Sequence, residues 1–442
     1  MRQVAKSTVL KAYHVESQGA QHKIAGGFFT SSSLYFLSNI LNALIPFFLL
    51  PLLTRYLAPE EYGLVSIFQA LTTGLLAFVG LNTVGAALRQ FYDESSRPRL
   101  AIYIGACFKV LLVTTLITLG VMLIFQNMAS ELTGLSLKWL LLAVLASAGL
   151  FAVNMRLGQW QVKGEALKYG SLQISVGAMN AVVTLVLVVL LGMGADGRMA
   201  GILVAPLLMG CIAVYLLRRD GLLSAERDQR SVRNALEFGV PLAPHVIGLF
   251  LLTAGDRFVI NRLLGADAVG IYMVAMQMAM GIGLAFDAFN KAFVPWLFAR
   301  LKRGDPAELR RVVIFTYACF IGAFILAGLL ALAGPILVYV LAGKEYHGAL
   351  KYLGLLAFGQ AFQGLYLMVT NYAFFAKRTG LLSSVTIFSG MLGIALLWLM
   401  VPSWGLSGAA MAYLITMAIR FLLTWVLAQY CHPMPWLSFY KY

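Results

Sequence analysis

The chain reads as a succession of apolar stretches, each about 20 residues long, separated by short polar breaks. A helix of about that length crosses the hydrocarbon core of a bilayer. The pattern predicts twelve spans, at about 29–55, 64–89, 100–125, 137–157, 170–192, 198–217, 234–263, 269–294, 312–333, 350–375, 380–401 and 405–428. The stretch "GPILVYVLAG" (334–343) is too short to cross. It either extends the ninth span past a kink at Pro335 or lies at the interface. Residues 1–27 are polar and basic, without the apolar core and small-residue cleavage site of a signal peptide, and predict a cytoplasmic segment with an interfacial helix.

A second pattern lies on top of the first. Arg55, Leu57 and Gly63 in "TRYLAPEEYGLVSIFQ" recur as Arg262, Leu264 and Gly270 in "NRLLGADAVGIYMVAMQ", 207 residues on. The same offset relates Gly74 to Gly281, Gly201 to Gly408 and Ala205 to Ala412. A register held along both halves points to a duplicated unit. Duplicated membrane halves are a transporter architecture, with the substrate path between them. The predicted fold is therefore an all-α polytopic membrane protein of two six-helix lobes related by a parallel repeat, with a central cavity. The divisions expected are 1–27 as the N-terminal segment, 28–226 as the N-lobe and 227–442 as the C-lobe with its tail.

Composition agrees: 60% of the 442 residues are hydrophobic and 12% charged, against about 25% charged in soluble domains. The net charge of +15 would suit a nucleic-acid binder, but its placement argues against one. Lys and Arg gather in alternate loops, around 2–23, 89–99, 156–168, 218–233, 291–311 and 377–378, and at Lys441. The intervening loops and adjoining span ends hold only Arg55, Lys138, Arg198, Arg257, Arg262, Lys344 and Lys351. Positive loops stay cytoplasmic. Both termini are therefore expected inside, in a multi-pass protein whose partner is membrane lipid and not nucleic acid.

Catalytic chemistry is missing from the sequence. The four cysteines and five histidines are scattered singly, which implies no disulfide framework and no metal site. There is no P-loop, no GxSxG and no soluble carboxylate pair. These absences predict a secondary transporter, with no cofactor, rather than an enzyme.

Three segments carry a family resemblance. "DRFVINRLLGADAVGIY" (Asp256 to Tyr272), "LLPLLTRYLAPEEYGLVSIFQA" in the first half and "GLSGAAMAYLI" at span 12 resemble bacterial polysaccharide-repeat-unit flippases (Wzx-type). These belong to the multidrug/oligosaccharidyl-lipid/polysaccharide exporter superfamily, and the resemblance covers essentially the whole chain. It implies two lobes around a cavity that opens alternately to either side of the bacterial inner membrane. The implied cargo is an undecaprenyl-pyrophosphate-linked oligosaccharide, for O-antigen, capsule or exopolysaccharide synthesis. A polysaccharide polymerase and a chain-length regulator are the implied protein partners.

Ionisable groups inside spans are costly and usually face a cavity or a partner. By depth, the substrate-contact candidates are Lys109, Arg257, Lys291 and Arg420. The coupling-ion candidates are Asp256 and Asp287. Lys109 reads equally as a snorkelling side chain. Asp287 and Lys291 are four apart on one helical face and read equally as a self-neutralising pair. Asn290 lies next to that face. Asn39 and Asn42 share a face of span 1 and could meet sugar hydroxyls, although such groups often join helices. Arg55 and Arg262 read as interface anchors.

Other readings remain open at this stage. A cation-coupled multidrug exporter would share the fold, but many carry an acid in span 1, and 29–55 hold no Asp or Glu. A flippase for a peptidoglycan precursor would have fourteen spans and arginines within span 1. An integral membrane glycosyltransferase or polymerase would need a catalytic carboxylate or histidine set.

Overall fold

A computed structural model describes Leu34 and residues 37–93 and 96–436. The expected segment 1–27 lies outside the described residues. Every regular element among them is helical. The helices are α1 (Leu37–Tyr56), α2 (Pro59–Leu75), α3 (Thr83–Asp93), α4 (Arg97–Ile124), α5 (Gln126–Thr133), α6 (Leu137–Val162) and α7 (Ala166–Thr184). A π-helical turn, Leu185–Leu190, prolongs α7. The second half has α8 (Gly194–Arg219), α9 (Gln229–Gly239), α10 (Ala243–Leu264), α11 (Ala266–Arg303), α12 (Pro306–Leu341), α13 (Leu350–Phe375) and α14 (Thr379–Cys431).

Among the described residues, ten helices are long and apolar enough to cross a membrane. One of them, α14, has 53 residues and is two spans joined at Gly405, whose φ of 56° and ψ of −139° no helix contains. No atom stands within 4 Å of where a Gly405 side chain would begin, so the glycine serves the backbone angle and not close packing. The expected second span is split between α2 and α3. Gly80, Leu81 and Asn82 break it with positive φ angles of 82°, 45° and 55°. Counted this way there are twelve spans. The stretch 334–343 resolves in favour of extension, since α12 runs through Pro335 to Leu341.

The helices sort into two lobes. In the first, α6 packs on α8, α2, α4 and α3, and α7 on α8. In the second, α14 packs on α13 and α10, and α13 on α11 and α12. Burial separates inner from outer helices: 61% of the spanning window of α6 and 67% of that of α13 are buried, against 17% for α7 and for α12. The outer faces carry exposed Leu329, Leu332 and Ile336, which lipid solvates at no cost.

The lobes meet chiefly where α2 crosses α11. A Cβ on Gly63 would lie 1.9 Å from the Ala266 carbonyl oxygen, and one on Gly270 would lie 1.9 Å from that of Pro59. Gly63 and Gly270 are repeat equivalents, and so are Pro59 and Ala266. The duplicated glycine is thus the crossing point of a pseudo-two-fold contact, where only hydrogen lets the backbones touch.

The linker between the lobes is bound closely to the first. Although the sequence boundary places 227–242 with the second half, α9 lies on α3 and α4. The Tyr103 hydroxyl donates to Asn234 Oδ1 at 2.8 Å. Lys109 Nζ donates to the Glu226 carbonyl. Asp220 receives Arg156, whose side chain is 1% exposed and stacks 4.1 Å from the Trp160 ring centre. Burial alone would push the Asp220 carboxyl up. Arg156, Arg219 and Lys163 outweigh it and hold the group below the ordinary carboxylate range.

Asp220→Asn should therefore cost about 3 kcal/mol, because it strands a buried guanidinium. The folded value lies below the unfolded one, so this stabilisation is complete above the unfolded value, near pH 4, and fades as pH falls through the folded one. Thermal unfolding in detergent should show a constant gap between parent and variant from pH 8 to 5, closing below about 4. A gap typical of an exposed pair, under about 1 kcal/mol, would mean that Trp160 alone satisfies Arg156.

Candidate functional site

A cavity of about 350 Å³ lies between the lobes. The N-lobe wall comes from α1, from Tyr62, Ser66, Gln69 and Thr73 of α2, and from Arg198 of α8. The C-lobe wall comes from Thr253 and Arg257 of α10 and from Met273, Gln277 and Met280 of α11. Tyr62 donates to Gln277 Oε1 at 2.9 Å, and Gln277 Nε2 donates to the Pro46 carbonyl at 2.5 Å, so a polar bridge joins the walls.

The charged lining consists of two guanidiniums, one from each lobe, and no carboxylate. Arg198 is 6% exposed. Its Nη1 donates to Thr184 Oγ1 at 2.8 Å and to Asn180 Oδ1, while its Nε has no partner. Arg257 is held loosely: Nε reaches Met273 Sδ at 3.1 Å and Nη1 the Thr253 carbonyl at 3.4 Å. Two guanidiniums with no carboxylate beside them in the described lining make a receptor for an anion, and the fork of each suits phosphate.

Of the ionisable candidates singled out in the sequence, Arg257 alone is in this lining. Arg198 had been grouped with the cations of the intervening loops. Because α8 begins at Gly194, Arg198 is already one turn inside a helix and faces inward.

Asp256, one residue from Arg257, points the other way. It lines a space of about 20 Å³ inside the C-lobe with Tyr413 and Thr416. Its Oδ1 accepts from the Arg257 backbone N–H at 2.9 Å, and Tyr272 is a further neighbour. The ion pairs found among the described residues do not include Asp256.

Arg420 is buried in the same lobe, 3.6 Å from the Tyr366 ring centre, with Nη1 donating to Gln363 Oε1 at 2.8 Å. Asp287 and Lys291 pair at 2.7 Å on α11, both about half exposed. Asn290 accepts from Asn371 Nδ2 at 2.7 Å. Asn39 accepts from Gln173 Nε2 at 2.9 Å, and Asn42 lies against Gly177. Lys109, on α4, donates to the Glu226 carbonyl of the linker and is not in this lining. A second cavity of about 470 Å³, lined by apolar side chains of α2, α4, α5, α6, α10 and α14, also lies between the lobes.

Twelve spans in two lobes with a cationic cavity between them have the architecture of a two-lobed membrane transporter. The chain belongs to the polysaccharide biosynthesis protein family, whose model matches residues 29–302. A Haemophilus influenzae protein of the Lsg locus is 26% identical over 83% of this chain and 90% of its own length. The capsular polysaccharide biosynthesis protein CapF of Staphylococcus aureus is 24% identical over 88% of this chain and 96% of its own. Among solved structures, the lipid II flippase MurJ in an inward closed conformation superposes with a TM-score of 0.73, at 14% identity, over 90% of this chain and 87% of that one. At that identity the likeness concerns the fold.

Proposed function

We propose that this protein is a secondary transporter that moves undecaprenyl-pyrophosphate-linked oligosaccharide repeat units across the bacterial inner membrane by alternating access. Its N-lobe would be 28–226 and its C-lobe 227–442, with both termini cytoplasmic. The observation that carries the reading is the cavity lined by Arg198 and Arg257 and by no carboxylate. A cation-coupled multidrug exporter would be served by acids in the cavity, whereas guanidiniums suit a pyrophosphate. The polar wall of Tyr62, Ser66, Gln69 and Thr73 would meet sugar hydroxyls, and a volume near 350 Å³ suits the pyrophosphate end of the cargo. The apolar cavity offers a path for part of the polyprenyl tail. Membership of a polysaccharide biosynthesis family, and the names of the Staphylococcus and MurJ relatives, support the same reading.

The test uses purified protein in liposomes with a labelled lipid-linked oligosaccharide. Label should become accessible on the opposite leaflet at a rate proportional to protein. Efflux of cationic drugs without movement of the oligosaccharide would replace this reading with the multidrug one, and transfer of sugar between lipids would make the protein an enzyme.

A further inference from the structure

We propose that the duplicated Arg-x-Leu-x5-Gly motif is a two-armed lock, one arm from each lobe, that shuts the cavity at the end opposite the positive loops. The glycines form its centre, with Gly63 on Ala266 and Gly270 on Pro59. Around this centre each lobe reaches across to the other. From the first lobe, Arg55 Nη2 donates to the Val340 carbonyl at 3.2 Å. Thr54 Oγ1 accepts the Gly343 N–H at 3.1 Å, and the Leu57 carbonyl accepts the Tyr346 hydroxyl at 2.8 Å. From the second lobe, Arg262 Nη1 pairs with Glu131 Oε1 at 2.6 Å, and Asn261 Nδ2 donates to the Leu132 carbonyl at 3.0 Å.

Arg55 and Arg262 are repeat equivalents, as are Thr54 and Asn261. The segments they grip are near neighbours under the same 207-residue offset: Val340 and Gly343 correspond to positions 133 and 136, two to four residues from Glu131 and Leu132. A contact in which equivalent residues of two halves grip equivalent partners is self-complementary, like a two-fold dimer interface. The motif that forms this contact is also the part of the repeat most legible in the sequence. The arms differ in kind. The first is built on uncharged hydrogen-bond partners, two backbone carbonyls and one backbone N–H. The second is an ion pair whose members are 48% and 61% exposed, so it is the arm that a single charge change can open. The sign of the device follows: breaking it favours the state open to the outside.

The external assignment rests on the alternating-access reading and its topology. The test does not require the cargo. Cys107, Cys211, Cys319 and Cys431 are replaced by Ser in the full-length chain, and a single cysteine is placed at Thr73, which lines the cavity. A membrane-impermeant maleimide is then added to intact cells. Parent protein should label slowly. Arg262→Glu, which sets like charges face to face at Glu131, should label roughly two- to fivefold faster, the shift expected for losing a partly exposed pair. Arg262→Glu combined with Glu131→Arg should return to the parent rate, which a merely damaged fold would not do. Gly270→Ala, which cannot close the crossing, should also label faster.

Equal labelling of parent and Arg262→Glu, or no recovery in the swapped pair, would overturn the lock while leaving the cargo reading intact. The expected labelling together with failure to move the oligosaccharide would do the reverse.

Discussion

Arg257→Gln will slow movement of the lipid-linked oligosaccharide roughly ten- to a hundredfold while leaving the folded yield close to that of the parent. A hydrogen bond to a charged group contributes about 1.5–3 kcal/mol, and that is the loss expected when one guanidinium no longer meets a phosphate. Folding should be spared because the partners of Arg257 are weak: a thioether and a carbonyl at 3.4 Å. Arg257→Lys should keep part of the rate, since it retains the charge and loses the fork.

Arg198→Gln should slow transport by a similar factor but also lower the melting temperature. Its side chain is buried and ties α8 to Asn180 and Thr184. The two variants therefore separate cargo binding from lobe packing. The measurement is accessibility of labelled cargo in liposomes beside a thermal melt in detergent. Normal transport in both Gln variants would remove the cavity from the anion-binding role.

The architecture was largely legible in the sequence, because a helix in lipid must satisfy its backbone internally and must be about 20 residues long. The repeat was legible too, since the crossing at Gly63 and Gly270 tolerates no side chain. What the motif does was not legible. A one-dimensional pattern shows that Arg55 and Arg262 are equivalent but not that they reach into opposite lobes, so they read as interface anchors.

Arg198 was hidden for a related reason. It follows the polar "GMGADG" stretch and looked like a loop charge; the start of α8 at Gly194 was the missing fact. Arg156 reads as one of the cations of a positive loop because its acceptor, Asp220, is 64 residues away. The break in the second span depends on positive φ at Leu81 and Asn82, residues for which composition gives little warning. Adjacent Asp256 and Arg257, singled out for different roles, face different surroundings: the interior of the C-lobe for one and the inter-lobe cavity for the other.

That division leads to the second large effect. Asp256→Asn should abolish stimulation of transport by an imposed ion gradient while leaving cargo binding unchanged. The sequence contains no nucleotide motif, so any drive must come from an ion gradient or from the cargo's own gradient. A carboxylate within the membrane offsets its desolvation by taking up a proton, a cation or a basic partner. Arg257 offers Asp256 its backbone N–H, while its guanidinium turns toward the cavity.

The space beside Asp256 is about 20 Å³, room for about one water. Its nearby side-chain oxygens are few, chiefly the Tyr272, Tyr413 and Thr416 hydroxyls. Proton uptake suits such a site better than a cation that needs six or more oxygens. Since Asp256 and Arg257 are successive residues of α10, a change of charge on one would be felt at the cavity through the same turn of helix. Asp287→Asn should have only a modest effect, because Asp287 is half exposed and already paired with Lys291. In liposomes carrying a pH or sodium gradient, the Asp256→Asn protein should transport at the parent's rate without a gradient and show no acceleration when one is imposed. A full gradient response in that variant would leave Asp256 as a packing group and shift the coupling role elsewhere in the chain.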